Sequence, residues 1–169
     1  RKFVNSGDEV IISNIEHHAN IVPWQVLCDE KGVKLKVIPV ADNGELIMEE
    51  YDKLLTNKTR VVAVNHVSNA LGTINPVNEI TRKAHAVGAK VLIDGAQSTP
   101  HMKVDVQDID CDFYTFSGHK MYAPSGIGGM FGKMEVMETM PPYVMGGDMI
   151  MQVTLEKSTY AKPPARFEA

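Results

Sequence analysis

Residues 60–97 read RVVAVNHVSNALGTINPVNEITRKAHAVGAKVLIDGAQ and carry the clearest signal of the fold. An almost unbroken apolar run occupies 60–65 and a second one occupies 90–94, as expected of strands that helices cover on both faces. Apolar residues recur between these runs at the spacing of one helix face: Val77, Ile80, Ala84 and Val87. A strand, a helix and a strand in this order predict an α/β unit with parallel strands.

The same alternation continues along the rest of the chain. Further strands are predicted at residues 9–13, 34–38, 112–116 and 128–131, and further helices at 20–30, 48–55 and 133–139. The helix at 76–87 is the best defined, because Asn75 can cap it, Pro76 fits its first turn and Gly88 can end it. We therefore expect residues 1–169 to form a single α/β domain around a mainly parallel sheet.

Composition argues against several classes of partner. Lys and Arg number 17 and Asp and Glu number 21, which gives a net charge of −4 without a basic stripe. We therefore expect no nucleic acid and no anionic membrane as partner. No apolar run approaches the roughly 20 residues of a membrane span, and no signal-peptide pattern opens the chain. The two cysteines are far apart and lack CxxC spacing, which suits a reducing compartment and predicts a cytoplasmic protein.

The two ends of the sequence suggest a piece of a longer protein. The chain begins at Arg1 rather than at a methionine and reaches its first predicted strand almost at once. It stops at Ala169, with no helix to close the end. We therefore expect the N- and C-terminal parts of the parent protein to be missing.

Polar residues follow four of the predicted strands, where each strand ends. The four segments are Glu16-His17-His18, His66-Val67-Ser68-Asn69, Asp94-Gly95-Ala96-Gln97 and Ser117-Gly118-His119-Lys120. In parallel α/β sheets, ligands bind beyond the carboxyl ends of the strands. We therefore expect these segments to form one site.

The chemistry of the last two segments points to pyridoxal phosphate. Lys120 offers an amine in surroundings that are poor in charge and rich in aromatic residues, whereas most lysines simply extend into solvent. Asp94 ends an apolar strand and would pair with a protonated pyridine nitrogen; the alternative is a turn cap ahead of the next glycine. Ser117 and His119 are donors suited to a phosphate. An amine, an anion and phosphate donors are what this cofactor requires.

Three further residues are candidates for the same cofactor. One ring of the pair His17 and His18 could lie on the pyridine ring, and the other is structural, because neighbouring residues at a strand end point in opposite directions. Gln97 could bind the phenolic oxygen, although a loop glutamine is usually solvated. Asn69 could bind the same oxygen, or could serve only as a turn residue ahead of Gly72. No histidine or cysteine shows paired ligand spacing, so we expect no metal site.

Five segments resemble a known family: EHHANIVPWQ (16–25), HVSNALGTINPV (66–77), DGAQSTPH (94–101), VDVQDIDCDFYTFSGHKMYAPSGIG (104–128) and PPARFEA (163–169). Together they are similar to the group II, Suf-type cysteine desulfurases, within the class V aminotransferase-like branch of pyridoxal phosphate enzymes. The resemblance implies a three-layer α/β fold, with this chain as the central part of the large domain of a fold-type I transferase. It also implies a homodimer.

The resemblance implies a role for each candidate residue. Lys120 would carry the cofactor covalently and act as acid–base group, Asp94 would pair with the pyridinium nitrogen, and His17 would stack on the ring. Gln97 and Asn69 would bind the phenolic oxygen, and Ser117 and His119 the phosphate. The implied reaction converts L-cysteine to L-alanine and leaves an enzyme persulfide, whose sulfur goes to an acceptor protein of iron–sulfur cluster assembly.

Departures from the family pattern limit what the chain itself is expected to do. The persulfide-forming cysteine of the family would lie downstream of Ala169, and neither Cys28 nor Cys111 matches it. Both cysteines are better explained as small buried apolar residues, and we expect the isolated chain to be inactive. Ala123 replaces the usual glycine, which is tolerable unless the backbone there needs a positive φ. The alternatives are a selenocysteine lyase, aminotransferase, epimerase or kynurenine-type hydrolase of the same fold, or a non-catalytic fragment.

Overall fold

The computed structural model describes residues 2–168. The strands are β1 (Glu9–Ser13), β2 (Lys34–Ile38), β3 (Thr59–Asn65), β4 (Lys90–Asp94), β5 (Phe113–Ser117), β6 (Gly128–Gly132), β7 (Ile150–Val153) and β8 (Ser158–Tyr160). The helices are α1 (Val22–Lys31), α2 (Met48–Leu54), α3 (Val77–Ala86), α4 (Val106–Ile109) and α5 (Met134–Met137). Each predicted strand is found to within one residue and each predicted helix to within two, whereas β7, β8 and α4 were not predicted.

The main sheet has the strand order β2-β1-β3-β4-β5-β6. The four pairings from β2 to β5 are all parallel, which confirms the predicted α/β class with a mainly parallel sheet. From β1 the chain moves outward to β2 and then returns to the other side as β3. This reversal opens a crevice between the carboxyl ends of β1 and β3. Asn65 and Asp94 are in register there, at the ends of β3 and β4.

Helices cover both faces of the sheet, as the three-layer prediction requires. Neighbouring residues of a strand point to opposite faces, so Val10 and Val61 belong to one apolar cluster while Ile11 and Val62 belong to the other. The first cluster receives Leu27 and Cys28 from α1. The second receives side chains from α2, α3 and α4: Tyr51, Val77, Ile80, Ala84 and Ile109. Cys28 and Cys111 are both buried, as predicted.

The predicted cap of α3 is wrong. Pro76 occupies the cap position and no side chain accepts a capping hydrogen bond there. Asn75 is instead buried and donates from Nδ2 to the backbone oxygen of Asn65, at 2.9 Å. It therefore ties the start of α3 to the end of β3, where a buried backbone oxygen needs a donor. Gly88 follows the helix with a φ of 80°, in agreement with its predicted role at the helix end.

The chain divides into two compact units, one up to Phe131 and one from Gly132 onwards. The second unit contains the antiparallel pair of β7 and β8. Within it, Arg166 donates to the backbone oxygens of Ala161 and Met140, at 2.8 and 3.0 Å. The expectation of a single domain over 1–169 stays a prediction.

No helix within residues 2–168 is long and apolar enough to cross a membrane. The longest, α1 and α3, have ten residues each, whereas a helical span needs about 20.

Candidate active site

A cavity of about 510 Å³ opens at the carboxyl ends of the central strands. All seven candidate residues from the sequence line it: His17, Asn69, Asp94, Gln97, Ser117, His119 and Lys120. They arrive from four different strand ends, because the parallel arrangement brings those ends to one edge of the sheet. The structure therefore brings together residues that are up to about a hundred positions apart in the sequence.

Lys120 lies in a single turn of 3₁₀ helix, Gly118–Met121, which follows β5 directly. Its side chain is half-buried in the cavity wall, and within the described part of the chain its amine forms no hydrogen bond and no ion pair. Gly118 permits the sharp turn, since a Cβ there would lie 2.6 Å from Cγ2 of Ile127. Tyr122 has a φ of 61°, whereas Ala123 does not have a positive φ, so alanine is tolerated at that position.

The Asp94 side chain both caps a turn and lines the cavity. Its Oδ1 accepts a hydrogen bond of 2.9 Å from the amide of Ala96, so the turn cap considered from the sequence is present. The same side chain lines the cavity, where Oδ2 is not used by that bond. Its backbone oxygen accepts from the amide of His66 at 2.9 Å, which fixes the turn against the end of β3. The carboxylate is thus held in one orientation, as a charge-pairing group requires.

A buried tyrosine supports this turn from below. A Cβ on Gly95 would lie 1.9 Å from Cε1 of Tyr114, so only glycine allows the turn to approach the ring. The Tyr114 hydroxyl bonds to Nδ1 of His66 at 2.9 Å and to Oγ of Ser98 at 2.5 Å. Burial raises the pKa of Tyr114 to about 12 and lowers the pKa of His66, so both groups are neutral near pH 7. The support is therefore an uncharged hydrogen-bonded cluster.

His17 faces the cavity and His18 is not among the described residues that line it. One ring of the pair therefore lines the cavity, but for a different reason from the one expected, and its contact with a cofactor stays a prediction. The two residues begin a 3₁₀ turn, His18–Asn20, instead of continuing the strand. Nδ1 of His17 accepts from the amide of Ala19 at 3.1 Å, so the neutral ring carries its proton on Nε2.

Asn69 lies in a turn and also lines the cavity, whereas its binding to a phenolic oxygen stays a prediction. It lies in a tight loop closed by the antiparallel bridge Val67↔Ile74. The hydroxyl of Ser68 accepts from the amides of Ala70 and Leu71 at 3.3 and 3.2 Å, which makes this loop a defined turn. The exposed Asn69 side chain extends from that turn into the cavity wall. Its placement is therefore rigid rather than incidental.

Ser117 and His119 form a pair on the β5 side of the cavity. Oγ of Ser117 and Nδ1 of His119 are 2.9 Å apart. A hydroxyl and an imidazole that are bonded to each other leave at least one O–H or N–H free to donate to an anion. Among the residues that the structure describes, no group of three or more His, Cys, Asp or Glu is placed to hold a metal ion.

Glu16 belongs to a segment that the sequence predicted to reach the site, but the sequence reasoning gave it no role of its own. It is 8% exposed and lies behind the cavity wall, next to His17 in the chain. Its carboxylate accepts from Oγ of Ser13 in a short contact, from Nδ2 of Asn20 at 2.8 Å and from the amide of Asn65 at 3.0 Å. Burial, with a contribution from the charge of Asp94, raises the pKa of Glu16 to about 7 despite these donors. The sequence signal is an acidic residue three positions after a strand with an apolar centre.

The chain is similar in sequence to known proteins. The profile of the aminotransferase class-V family matches residues 1–169. The cysteine desulfurase of Dickeya dadantii is 58% identical over 170 residues, which cover all of this chain and 41% of that protein. The chain spans between about a quarter and two fifths of the length of the curated relatives it matches.

Solved structures show the same fold. The crystal structure of the cysteine desulfurase CsdA from Escherichia coli aligns with a TM-score of 0.95 and 38% identity, over 98% of this chain and 42% of that one. A C-DES mutant with glycine covalently linked to its PLP cofactor aligns with a TM-score of 0.83 and 27% identity, over 98% of this chain and 45% of that one.

Proposed function

This chain belongs to the aminotransferase class-V family, and on that basis we propose that its protein is a pyridoxal phosphate-dependent cysteine desulfurase. The observation that carries the proposal is the convergence of Lys120, Asp94 and His17 with four polar side chains on one cavity. The names of relatives that are 58% and 38% identical to the chain support the choice of reaction.

The donor set of the cavity fits pyridoxal phosphate. The half-buried carboxylate of Asp94 suits a protonated ring nitrogen, and the amides of Asn69 and Gln97 suit a phenolic oxygen. The contacting pair of Ser117 and His119 suits a phosphate. When bound, the cofactor supplies an electron sink for negative charge next to the α-carbon of an amino acid.

The residues of this chain hold the cofactor and move protons around it. Lys120 would hold the cofactor through Nζ, and its amine is the group placed to take and return a proton at the α-carbon of L-cysteine. Asp94 would hold the protonated ring nitrogen through Oδ2, because the turn already engages its Oδ1. His17 would contact the ring, and the apolar side chain of Trp24 lines the cavity near it.

Neither cysteine of this chain suits the role of sulfur acceptor. Conversion of L-cysteine to L-alanine breaks the carbon–sulfur bond and leaves the sulfur bonded to an acceptor thiol as a persulfide. Cys28 and Cys111 are 7% and 0% exposed, and burial raises the pKa of the Cys28 thiol. A buried neutral thiol is a poor nucleophile. The acceptor thiol therefore belongs to another part of a homodimeric protein, which passes the sulfur to a partner of iron–sulfur cluster assembly.

The test of this proposal uses the protein with its natural ends, supplied with pyridoxal phosphate and a reducing thiol. We expect L-cysteine to give L-alanine and sulfide in equal amounts. We also expect Lys120→Ala to lower this turnover by about 1000-fold or more, whereas Lys103→Ala, at an exposed lysine, leaves it unchanged. Turnover of L-selenocysteine alone, amino transfer to a 2-oxo acid, or racemisation without sulfide would each identify one of the related enzymes instead. Absence of every reaction would indicate a non-catalytic protein.

A further inference from the structure

Glu16 lies behind one wall of the cavity rather than in it. Three residues that bond to Glu16, or to its partner, do line the cavity: Asn20, Trp24 and Asn65. Asn20 receives a hydrogen bond of 3.0 Å from Nε1 of Trp24 on its Oδ1 and donates from Nδ2 to Oε2 of Glu16. The amide of Asn65, at the end of β3, donates to Oε1. One carboxylate thus joins the loop after β1, the start of α1 and the end of β3.

The direction of each hydrogen bond in this chain of contacts is fixed. Trp24 can only donate, so Asn20 must turn its oxygen to Trp24 and its amide nitrogen to Glu16. The backbone N–H of Asn65 also can only donate. Both oxygens of Glu16 are therefore required as acceptors, and the amide of a glutamine would oppose one of these donors in either orientation.

Ser13 is the one neighbour that can change its role. Its hydroxyl donates to Oε1 of the ionised carboxylate and can accept from the same oxygen when Glu16 carries a proton. Ser13 is fully buried, so this exchange does not involve solvent. The bonds to Asn20 and Asn65 persist in both states. Glu16 can therefore gain or lose a proton while the cavity wall keeps its shape.

The charges around Glu16 couple it to the site. Asp94, at the end of β4, favours the protonated form of Glu16 by repulsion. The other titratable neighbours are His17 and His18 on its own segment and His66 beyond β3, which bonds to Tyr114. A cation held at Asp94 would cancel the repulsion and favour the ionised form.

We propose that Glu16 is a positioning residue that holds Asn20, Trp24 and Asn65 in the cavity wall and releases its proton when a cationic ring binds at Asp94. This inference rests on the proposed function, because the cation is the ring of the cofactor. To the proposed function it adds a cavity wall of fixed shape and a Glu16 side chain whose ionisation depends on whether the cofactor is bound. Because the proton leaves on binding, cofactor affinity gains a component that increases with pH around neutrality.

The experiment measures the dissociation constant of pyridoxal phosphate for the protein with its natural ends, by visible absorbance at several pH values from 6 to 8. We expect Glu16→Gln to weaken binding by about tenfold, the effect of one opposed buried donor. The ratio of the Glu16→Gln constant to the wild-type constant should increase about threefold across this range, since only the wild type has the titrating carboxyl. Glu49→Gln, at an exposed position of α2, is the matched control.

A double variant tests whether the loss of affinity arises from the opposed hydrogen bond rather than from a general folding defect. In Glu16→Gln with Asn20→Asp, the new amide donates to the new carboxylate, which still accepts from Trp24. We expect this variant to regain melting temperature and most of the affinity that Glu16→Gln loses. Wild-type affinity in Glu16→Gln at every pH would overturn the inference, as would a double variant that regains melting temperature but not affinity. Failure of the wild type to bind pyridoxal phosphate would instead overturn the proposed function.

Discussion

Buried carboxylates at the two ends of the main sheet have pKa values that are shifted in opposite directions. At the amino end, Asp112 is 1% exposed and accepts from His85 and Lys90 at 2.9 Å each and from the amide of Val91 at 2.8 Å. Burial alone would raise its pKa, but these donors hold the pKa of Asp112 below its usual value. At the carboxyl end, burial prevails, and the pKa of Glu16 is raised to about 7.

A second pair of residues shows the same contrast. Glu9 begins β1 and is bound by Lys36 at 2.7 Å and by Thr56 at 2.6 Å. These contacts outweigh burial, so the pKa of Glu9 is also lowered. Lys120, just after β5, has no such partner within residues 2–168. Charged side chains that are paired within the protein stabilise the fold, whereas charged side chains without a partner are available to bind a ligand.

The comparison predicts its largest effect at Asp94. Asp94→Asn keeps an oxygen for the amide of Ala96 but removes the negative charge that would hold a proton on the ring nitrogen. An opposite charge in contact shifts a pKa by up to three units, so we expect L-cysteine turnover to fall by about 100-fold or more with little change in melting temperature. Asp29→Asn, at an exposed position of α1, is the control. Turnover within about twofold of wild type would show that Asp94 is only the turn cap.

At Asp112 we expect a loss of stability without a loss of affinity for pyridoxal phosphate. Asp112→Ala leaves the buried amide of Val91 without its acceptor and removes the carboxylate that pairs with Lys90 and His85. An unsatisfied buried donor costs about 2 kcal/mol in the free energy of unfolding. Urea denaturation measures this loss. Affinity for pyridoxal phosphate in the folded fraction should stay unchanged, since Asp112 lies at the far end of the strands. A loss of affinity without a loss of stability would contradict the division between the two ends.

The smallest effect concerns the pH dependence of stability. The pKa of Glu16 is about 7 in the folded chain against 4.5 for the free group, so the folded state retains the proton between these values while the unfolded state does not. Its contribution therefore falls as the pH rises from about 4.5 through 7. Between about pH 6 and about pH 8 the loss amounts to about 1 kcal/mol. Urea denaturation of the cofactor-free protein should show a decline of this size in the wild type that Glu16→Gln lacks; an equal decline in both would refute it.

The sequence was sufficient for most of the sheet. The apolar runs within 60–65 and 90–94 identify strands buried on both faces, and the structure has them as β3 and β4. The strands β7 and β8 were not predicted because most of their residues are exposed and carry no burial pattern. The helix α4, with four residues, is too short to show a helical period.

The sequence identified residues that line the candidate site, but it did not identify the residues that hold them in place. The rule that ligands bind at strand ends was enough to select His17, Asn69 and Asp94. The partners of Glu16 and of Gly95 arise from chain segments that are distant in sequence: Asn65 is 49 residues from Glu16. Tyr114 reaches Gly95 from a neighbouring strand. Such contacts depend on register and packing, which a single sequence does not specify.

Covalent capture of the cofactor tests the central claim most directly. The protein with its natural ends is mixed with pyridoxal phosphate, reduced with borohydride to make any amine–cofactor bond permanent, digested with trypsin and mapped by mass spectrometry. The account predicts one labelled peptide from this chain, residues 104–133, because trypsin does not cleave after a modified Lys120. The label should be absent in Lys120→Ala and present in Lys103→Ala. A label on another lysine of this chain, or equal labelling of all exposed lysines, would contradict the account.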